Sequence, residues 1–239
     1  IAGTFGGGWL LTGRSADVIV PVVFVGLLLV FLTTLLLREQ SPPAHGKRVG
    51  GFADLLRDRT FLLFVLAASG VQASHAVLNG FSVIHWRAAG LSGTLIAMLW
   101  AGSVVAEIIL FAFSGSAVRR LGPFGLLAIG AGAGFVRWII LAETTALPGL
   151  IVAQILHAAT FGATYLATMH FIAARAPDGL KASAQGLYAS VSGVLMGIAF
   201  LSAGALYAAL AGNAFYAMSV VCLAAILIGF AAWRTAKQS

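Results

Sequence analysis

An all-α integral membrane protein is what this sequence predicts, on three observations. The 239 residues are 60% hydrophobic and 9% charged, with a mean hydropathy of +1.01. Apolar stretches about 20 residues long, the length that crosses ~30 Å of hydrocarbon, recur along the chain. Lys and Arg gather in every second connection between those stretches. No soluble core needs so much apolar surface, and lipid admits only helices and closed barrels. The runs lack the two-residue alternation of barrel strands, so helices are expected.

Taken in order, the apolar segments fall near 1–13 (short, as if cut), 17–37, 60–83, 91–115, 123–142, 147–173, 185–210 and 213–233. Helix-breaking stretches divide them: "SPPAHGKRVGG" (41–51), "LGP" (121–123), "ALP" (146–148), "APDG" (176–179) and "AGN" (211–213). The expected count is eight helices, the first truncated. The opening "IAGTFGGGWLLTG" has no initiator Met and no basic n-region, so no secretory signal is expected. Its start inside an apolar run suggests a chain that begins partway through something longer.

The charges test this division. One side receives Arg38, Lys47, Arg48, Arg57, Arg59, Arg119, Arg120, Arg175, Lys181, Arg234 and Lys237; the other receives Arg14 and Arg87, and Arg137 lies within a span. Basic connections stay in the cytoplasm, so the C-terminus is expected there, in a multi-pass protein of the inner (plasma) membrane. The asymmetry also accounts for the net charge of +7 without a nucleic-acid partner. The longest polar stretch, 38–59, reads as a cytoplasmic linker. It separates 1–37, the last two helices of an N-terminal half, from 60–239, a C-terminal six-helix half. Secondary transporters are often built from such halves, with the substrate path between them. The expected partners are therefore the lipid bilayer, a small-molecule substrate and the missing N-terminal helices of the same protein.

Glu107 in "GSVVAEIILFAF" and Arg137 in "GAGFVRWIILA" are carried into the membrane. Each costs about 2.5–3.5 kcal/mol on insertion scales, so each should face protein or water and have a partner. Opposed helix directions set the two about 12 Å apart in depth, with His157 near the depth of Arg137 as a candidate bridge. Three spans carry polar and aromatic groups at steps of three and four: Gln154, His157, Phe161, Thr164, Thr168 and Phe171; Ser69, Gln72, His75, Asn79 and Ser82; Trp100, Ser103, Glu107, Phe111 and Ser114. Three such faces imply a shared hydrated cavity. Each member also has a plainer role, because intramembrane hydroxyls and amides join helices for about 0.6 kcal/mol each. A structural Glu107–Arg137 ion pair is the plain alternative for the charges. His85 and Arg87, beside Trp86, suit interfacial anchoring.

Other chemistry finds little support. The five histidines lack zinc-helix spacing, Cys222 alone cannot form an internal disulfide, and no nucleotide or nucleophile motif has a suitable context. No metal or cofactor is expected beyond a proton gradient as driving force, and no enzyme. Gly130, Gly134, Gly193 and Gly197 read as helix-packing positions.

The blocks "VQASHAVLNGFSVIHWRAAGLS", "LWAGSVVAEIILFAFS", "FVRWII" and "TTALPGLIVAQILHAATF…HFIAARAP" resemble the C-terminal half of phenylpropionic acid permeases, in the lactose-permease-like branch of the major facilitator superfamily. The resemblance runs from about residue 52 to 235. It implies a major-facilitator-type bundle comprising the last six-helix half and about two preceding helices. It also implies proton coupling at Glu107 and His157. Arg137 would bind substrate, and His75, Gln72, Asn79, Trp100, Gln154 and Phe161 are the further candidates for that site. Two positions depart from the branch: Thr160 stands where the sugar symporters carry a second acid, and "GSAVRRLG" has Arg119 in place of Asp. The function implied is proton-coupled uptake of a small aromatic organic acid. The alternatives are proton symport of a sugar or nucleoside, or a non-transporting membrane sensor or scaffold.

Overall fold

The computed structural model describes residues 16–36, 52–177 and 179–238, which fall into two units divided between Lys47 and Arg48. The expected first span at 1–13 and most of the 38–59 segment lie outside the described residues.

In the first unit a 3-10 turn, Ala16–Val18, leads into α1, Ile19–Leu35. Its 17 residues are apolar on every side. Thr33 and Thr34 return their hydroxyls to the carbonyls of Leu29, Val30 and Phe31 at 2.6–2.9 Å, leaving no free donor for lipid to meet.

The second unit is a bundle of α2 (Phe52–Arg57), α3 (Arg59–Ala73), α4 (Ala76–Ala88), α5 (Gly93–Glu143), α6 (Leu147–His157), a π-turn (Ala158–Ala163), α7 (Thr164–Arg175), α8 (Lys181–Leu210) and α9 (Ala214–Ala236). α5 is 51 residues long, about 77 Å if straight, far more than a bilayer core. It is not straight. Gly122 takes φ 61°, ψ −179°, a conformation that essentially only glycine tolerates, and Pro123 follows it. Gln154 bonds both Arg137 and the Leu99 carbonyl, so two residues about 57 Å apart on a straight rod meet one side chain. The chain therefore doubles back at Gly122 into two arms, 93–121 and 123–143. α8 and α9 reverse likewise through a 3-10 turn at Ala211–Asn213.

Contacts fix the directions. Thr60 bonds Thr235 at 3.0 Å and Cys222 bonds Ser74 at 3.4 Å, so α3 and α9 run antiparallel. The basic residues near 57–60, 119–120, 175 and 234–237 share one end, where Phe61, Phe64, Leu126 and Phe171 form a core. At the other end Trp86, Leu141, Leu150 and Phe215 form a second core. Large apolar side chains also cover the outer surface, as a bilayer requires: Leu201 is 86% exposed and Phe113 75%.

Four expectations change. The end of the 38–59 segment is helix α2, whose Leu55 is 3% exposed in the core, because one apolar face of "FADLLR" finds a hydrophobic seat. The 60–83 span extends to Ala88 and tightens at Ser74–His75, where side chains take over backbone carbonyls. Trp86, two residues from the end of α4, is 0% exposed and packs within the second core, so its ring does not face outward beside His85 and Arg87. Gly193 and Gly197 face open space, since α8 turns them away from its neighbours within this unit.

Asp58 joins two of the helix ends. It caps α3 by accepting from the Phe61 N–H at 3.1 Å and holds Arg175 through two bonds, 2.6 Å from Nε and 3.1 Å from Nη2. Burial raises the Asp58 carboxyl's affinity for a proton, but Arg175 and the backbone donors outweigh it and hold the group below the ordinary range. The folded value being the lower one, the stabilisation is complete above about pH 4 and is lost as pH falls through it. Asp58→Asn keeps the cap and removes that acid dependence, with less than about 1 kcal/mol lost near neutrality; thermal unfolding in detergent across pH 3–7 reads both. Gly122→Ala is expected to lower stability by about 1–3 kcal/mol in the same assay.

Candidate functional site

Arg137 is the largest buried charge, at 0% exposure on the second arm of α5. Its Nη2 donates to Gln154 Oε1 at 3.1 Å, and Gln154 Nε2 donates to the Leu99 carbonyl of the first arm at 3.1 Å. The guanidinium carbon lies 4.6 Å from the centre of the Trp138 ring. Among the described residues Nε and Nη1 of Arg137 are buried without a partner. The fit depends on glycine at two positions. A Cβ at Gly130 would overlap the Thr164 hydroxyl and come within 3.2 Å of the Ala159 carbonyl; at Gly134 it would lie 2.7 Å from Cys222 Sγ. These two packing expectations hold.

Glu107 and His157 meet directly, with Nε2 2.9 Å from Oε1 and side chains 15% and 12% exposed. The contact has ion-pair distance. Glu107 makes no ion pair with Arg137 among the described residues, so the plain pairing is not formed. The expected bridge is half made: His157 takes the acid, while Gln154, three residues earlier on the same face, takes the guanidinium.

Two departures from regular helix flank this contact. Beyond His157 the chain widens into the π-turn Ala158–Ala163, a feature frequent at functional sites. At Ser74–His75 the Ser74 hydroxyl donates to the Val71 carbonyl at 2.6 Å, and His75 Nδ1 lies 3.2 and 3.1 Å from the carbonyls of Val71 and Gln72. Two carbonyl neighbours require a proton on Nδ1, which leaves Nε2, buried and unpartnered, as the free position. The His75 ring stands edge-on to His157 at 5.4 Å, to Trp138 at 5.1 Å and to Phe161 at 6.2 Å. Phe161 stacks on His157 at 5.6 Å.

The structure thus brings together Glu107, His157, Arg137, Gln154, His75 and Phe161. Gln72 is 8% exposed and borders them through α3. Asn79 lies on an exposed part of α4, and Trp100 packs half-buried against the second core. Several stripe members serve the framework. Ser103 and Ser114 bond carbonyls of their own helix, Thr160 donates to Leu156 at 2.9 Å, and Phe171 stacks on Phe64 at 3.9 Å in the core. The shared hydrated cavity is not what three of the molecule's grooves provide: these, of about 320, 260 and 550 Å³, are lined almost wholly by apolar groups, and of the cluster only Gln154 borders one. The polar cluster instead packs side chain on side chain, with Phe161 38% exposed at its margin.

Three participants were missed in the sequence. Trp138 Nε1 donates to Ser74 at 3.0 Å and to Cys222 at 3.3 Å, tying the Arg137 arm to α3 and α9. Its adjacency to Arg137 was the available signal, a weak one because neighbours on a helix point about 100° apart. Tyr188 is 8% exposed beside Ser192, Thr168 and Gln72, and its place four residues before Ser192 is the corresponding clue. Ser192 bonds Ser69 at 2.8 Å.

A membrane-embedded helical bundle with a buried guanidinium and an acid–imidazole contact at membrane depth is the class these observations define. The chain belongs to the MFS_1 like family, which it matches over residues 1–227, and its fold is an all-α bundle of the major facilitator type. It is 37% identical over 225 residues, 92% of its length, to the probable 3-phenylpropionic acid transporter of Escherichia coli (strain K12), and spans 59% of that protein. It is also 21% identical over 141 residues, 59% of its length, to the uncharacterized transporter YwbF of Bacillus subtilis (strain 168), covering 35% of that protein.

Gln154 is the joint between the two arms of α5. Gln154→Leu leaves Arg137 Nη2 buried and unpaired and removes the side-chain bond to the Leu99 carbonyl, at an expected loss of about 2–5 kcal/mol. Gln154→Glu, which supplies an acceptor and a charge to Arg137, is expected to lose much less; melting temperatures of the two variants in detergent make the comparison.

Proposed function

We propose that this chain is part of a secondary active transporter that moves a small aromatic organic acid together with a proton. The observation that carries this reading is the composition of the buried cluster. Among the described residues Arg137 has two unpartnered donor nitrogens, Nε and Nη1, beside the Trp138 ring, and the same cluster holds Phe161, against the His75 and His157 rings, and an acid–imidazole pair. A carboxylate pairs with a guanidinium, which stays protonated, through one of these nitrogens and the Nη2 hydrogen that Gln154 leaves, and an aromatic body matches the rings. The printed name of the Escherichia coli relative, an aromatic-acid transporter, points the same way.

In this reading Glu107 and His157 carry the proton. A proton added to Glu107 removes its negative charge and weakens the contact with His157. Arg137 is fully covered in this conformation, so an anion reaches it only when the cover moves. In this reading the part that moves is the His157–Phe161 stack with the adjoining π-turn. Protonation and anion binding then favour the same rearrangement, which is what coupling requires. Gln72, His75, Asn79, Trp100 and Gln154 complete the substrate-side set. Residues 60–239 act as the C-terminal half, 38–59 as the cytoplasmic linker and 1–37 as the end of the N-terminal half. The basic end faces the cytoplasm of an inner-membrane protein.

Uptake of a phenylpropionate-like acid and counterflow exchange in cells expressing the protein test this together. Glu107→Gln should abolish proton-driven net uptake while exchange continues; net uptake at the wild-type rate removes Glu107 from coupling. Arg137→Lys should weaken binding by about 2–5 kcal/mol, as for truncation of a buried charge pair. Unchanged affinity removes Arg137 from the substrate site.

A further inference from the structure

At the basic end, on the outer surface, a groove of about 320 Å³ runs between the second arm of α5 and α9. Phe124, Ala128, Ala131, Ile226, Gly229 and Trp233 line it. Its outer rim is open, with Phe230 55% and Trp233 37% exposed. From Phe124 to Ala131 the helix rises about 10 Å, within the roughly 15 Å of hydrocarbon in one leaflet.

Basic residues flank the lining of this groove in the chain. Arg119 and Arg120 precede the Gly122 turn that starts the second arm, and Arg234 and Lys237 end α9; all four are exposed. Lys237 Nζ sits 3.9 Å from the centre of the Trp233 ring, which holds an ammonium at the rim. Among the described residues no ion pair engages any of the four, whereas Asp58 at the same end is committed to Arg175. An apolar slot below and unpaired cations above match a ligand with a hydrocarbon tail and an anionic head.

We propose that this groove binds an anionic phospholipid, its acyl chain lying between Phe124 and Trp233 and its phosphate group on Arg119, Arg120 and Lys237. A second copy of the chain is the poorer occupant: a two-fold contact through this face would set the same cations against one another. The proposal uses the membrane-spanning fold alone and is independent of the transport reading.

Native mass spectrometry of the purified protein, titrated with phosphatidylglycerol or with phosphatidylcholine of the same chains, tests it. Phosphatidylglycerol is expected to bind the more tightly. The exposed-site variant Arg119→Gln/Arg120→Gln/Lys237→Gln should weaken phosphatidylglycerol by roughly a hundredfold, about fivefold per cation, and leave phosphatidylcholine unchanged. Ala128→Phe, a change at an exposed groove position, should weaken both lipids. Equal binding of the two lipids, or phosphatidylglycerol affinity untouched by either variant, overturns the proposal. A dimer mass that Ala128→Phe abolishes also overturns it and assigns the groove to a second copy. Circular dichroism of both variants, matched to the parent, ties a loss of binding to the groove itself.

Discussion

The burial of Arg137 is the constraint on which the rest of this bundle depends. A guanidinium at membrane depth keeps its charge, so the protein must surround it, and the surroundings are tied to four helices of the second unit, α3, α5, α6 and α9, and to the π-turn. Gln154 on α6 accepts from it and then grips the first arm of α5 at Leu99. Trp138 offers its ring face, and its indole N–H reaches Ser74 on the far side of α3 and Cys222 on α9. For these arms to close, the second arm of α5 must approach the π-turn and α9 to near backbone contact, which Gly130 and Gly134 permit. One charge thus sets two glycines, a glutamine, a tryptophan and a free cysteine. The apolar cores fill the ends, but nothing in them selects this arrangement over another bundle of equal volume.

The helices, their reversals and the side on which the basic residues gather were legible because they rest on coarse quantities: the length of apolar runs, the placement of Pro and Gly, and the tally of Lys and Arg. Glu107, Arg137 and His157 stood out because charge inside such runs is expensive. Their pairing was not legible. Depth arithmetic placed His157 level with Arg137, yet Gln154 reached the guanidinium first, and three residues along one helix decided between them. The helical wheel also misled in places. It put Phe171 with the polar stripe, whereas the π-turn at Ala158–Ala163 shifts the register and delivers that ring to the core against Phe64. A widened turn leaves no mark in hydropathy, because "AATFGA" reads as ordinary apolar helix. Contacts such as Asp58 with Arg175, 117 positions apart, lie beyond any periodicity.

The two irregular segments share a physical logic. Backbone that leaves the α pattern inside a bilayer must satisfy its carbonyls and amides some other way. At Ser74–His75 the neighbouring carbonyls are taken by a hydroxyl and an imidazole; at Ala158–Ala163 the widened turn keeps its own bonds at altered spacing. His75 and His157 therefore stand where the backbone is least committed to one geometry, with ring centres 5.4 Å apart.

That placement bears on why acid and guanidinium are held apart. A direct Glu107–Arg137 pair would neutralise both charges and, buried, would resist separation by several kcal/mol. Instead Glu107 meets an imidazole whose charge is itself adjustable, and Arg137 meets a neutral amide. Neither charge is cancelled by a permanent opposite one, so among the described residues the cluster holds unspent donors at Arg137 Nε and Nη1 and an acid–imidazole contact within the same packed group. The cost of leaving those donors unmatched is borne by the Gln154 bond, the Trp138 face and the glycine-enabled packing around them. The bundle carries this expensive arrangement beside two points where its backbone leaves the α pattern.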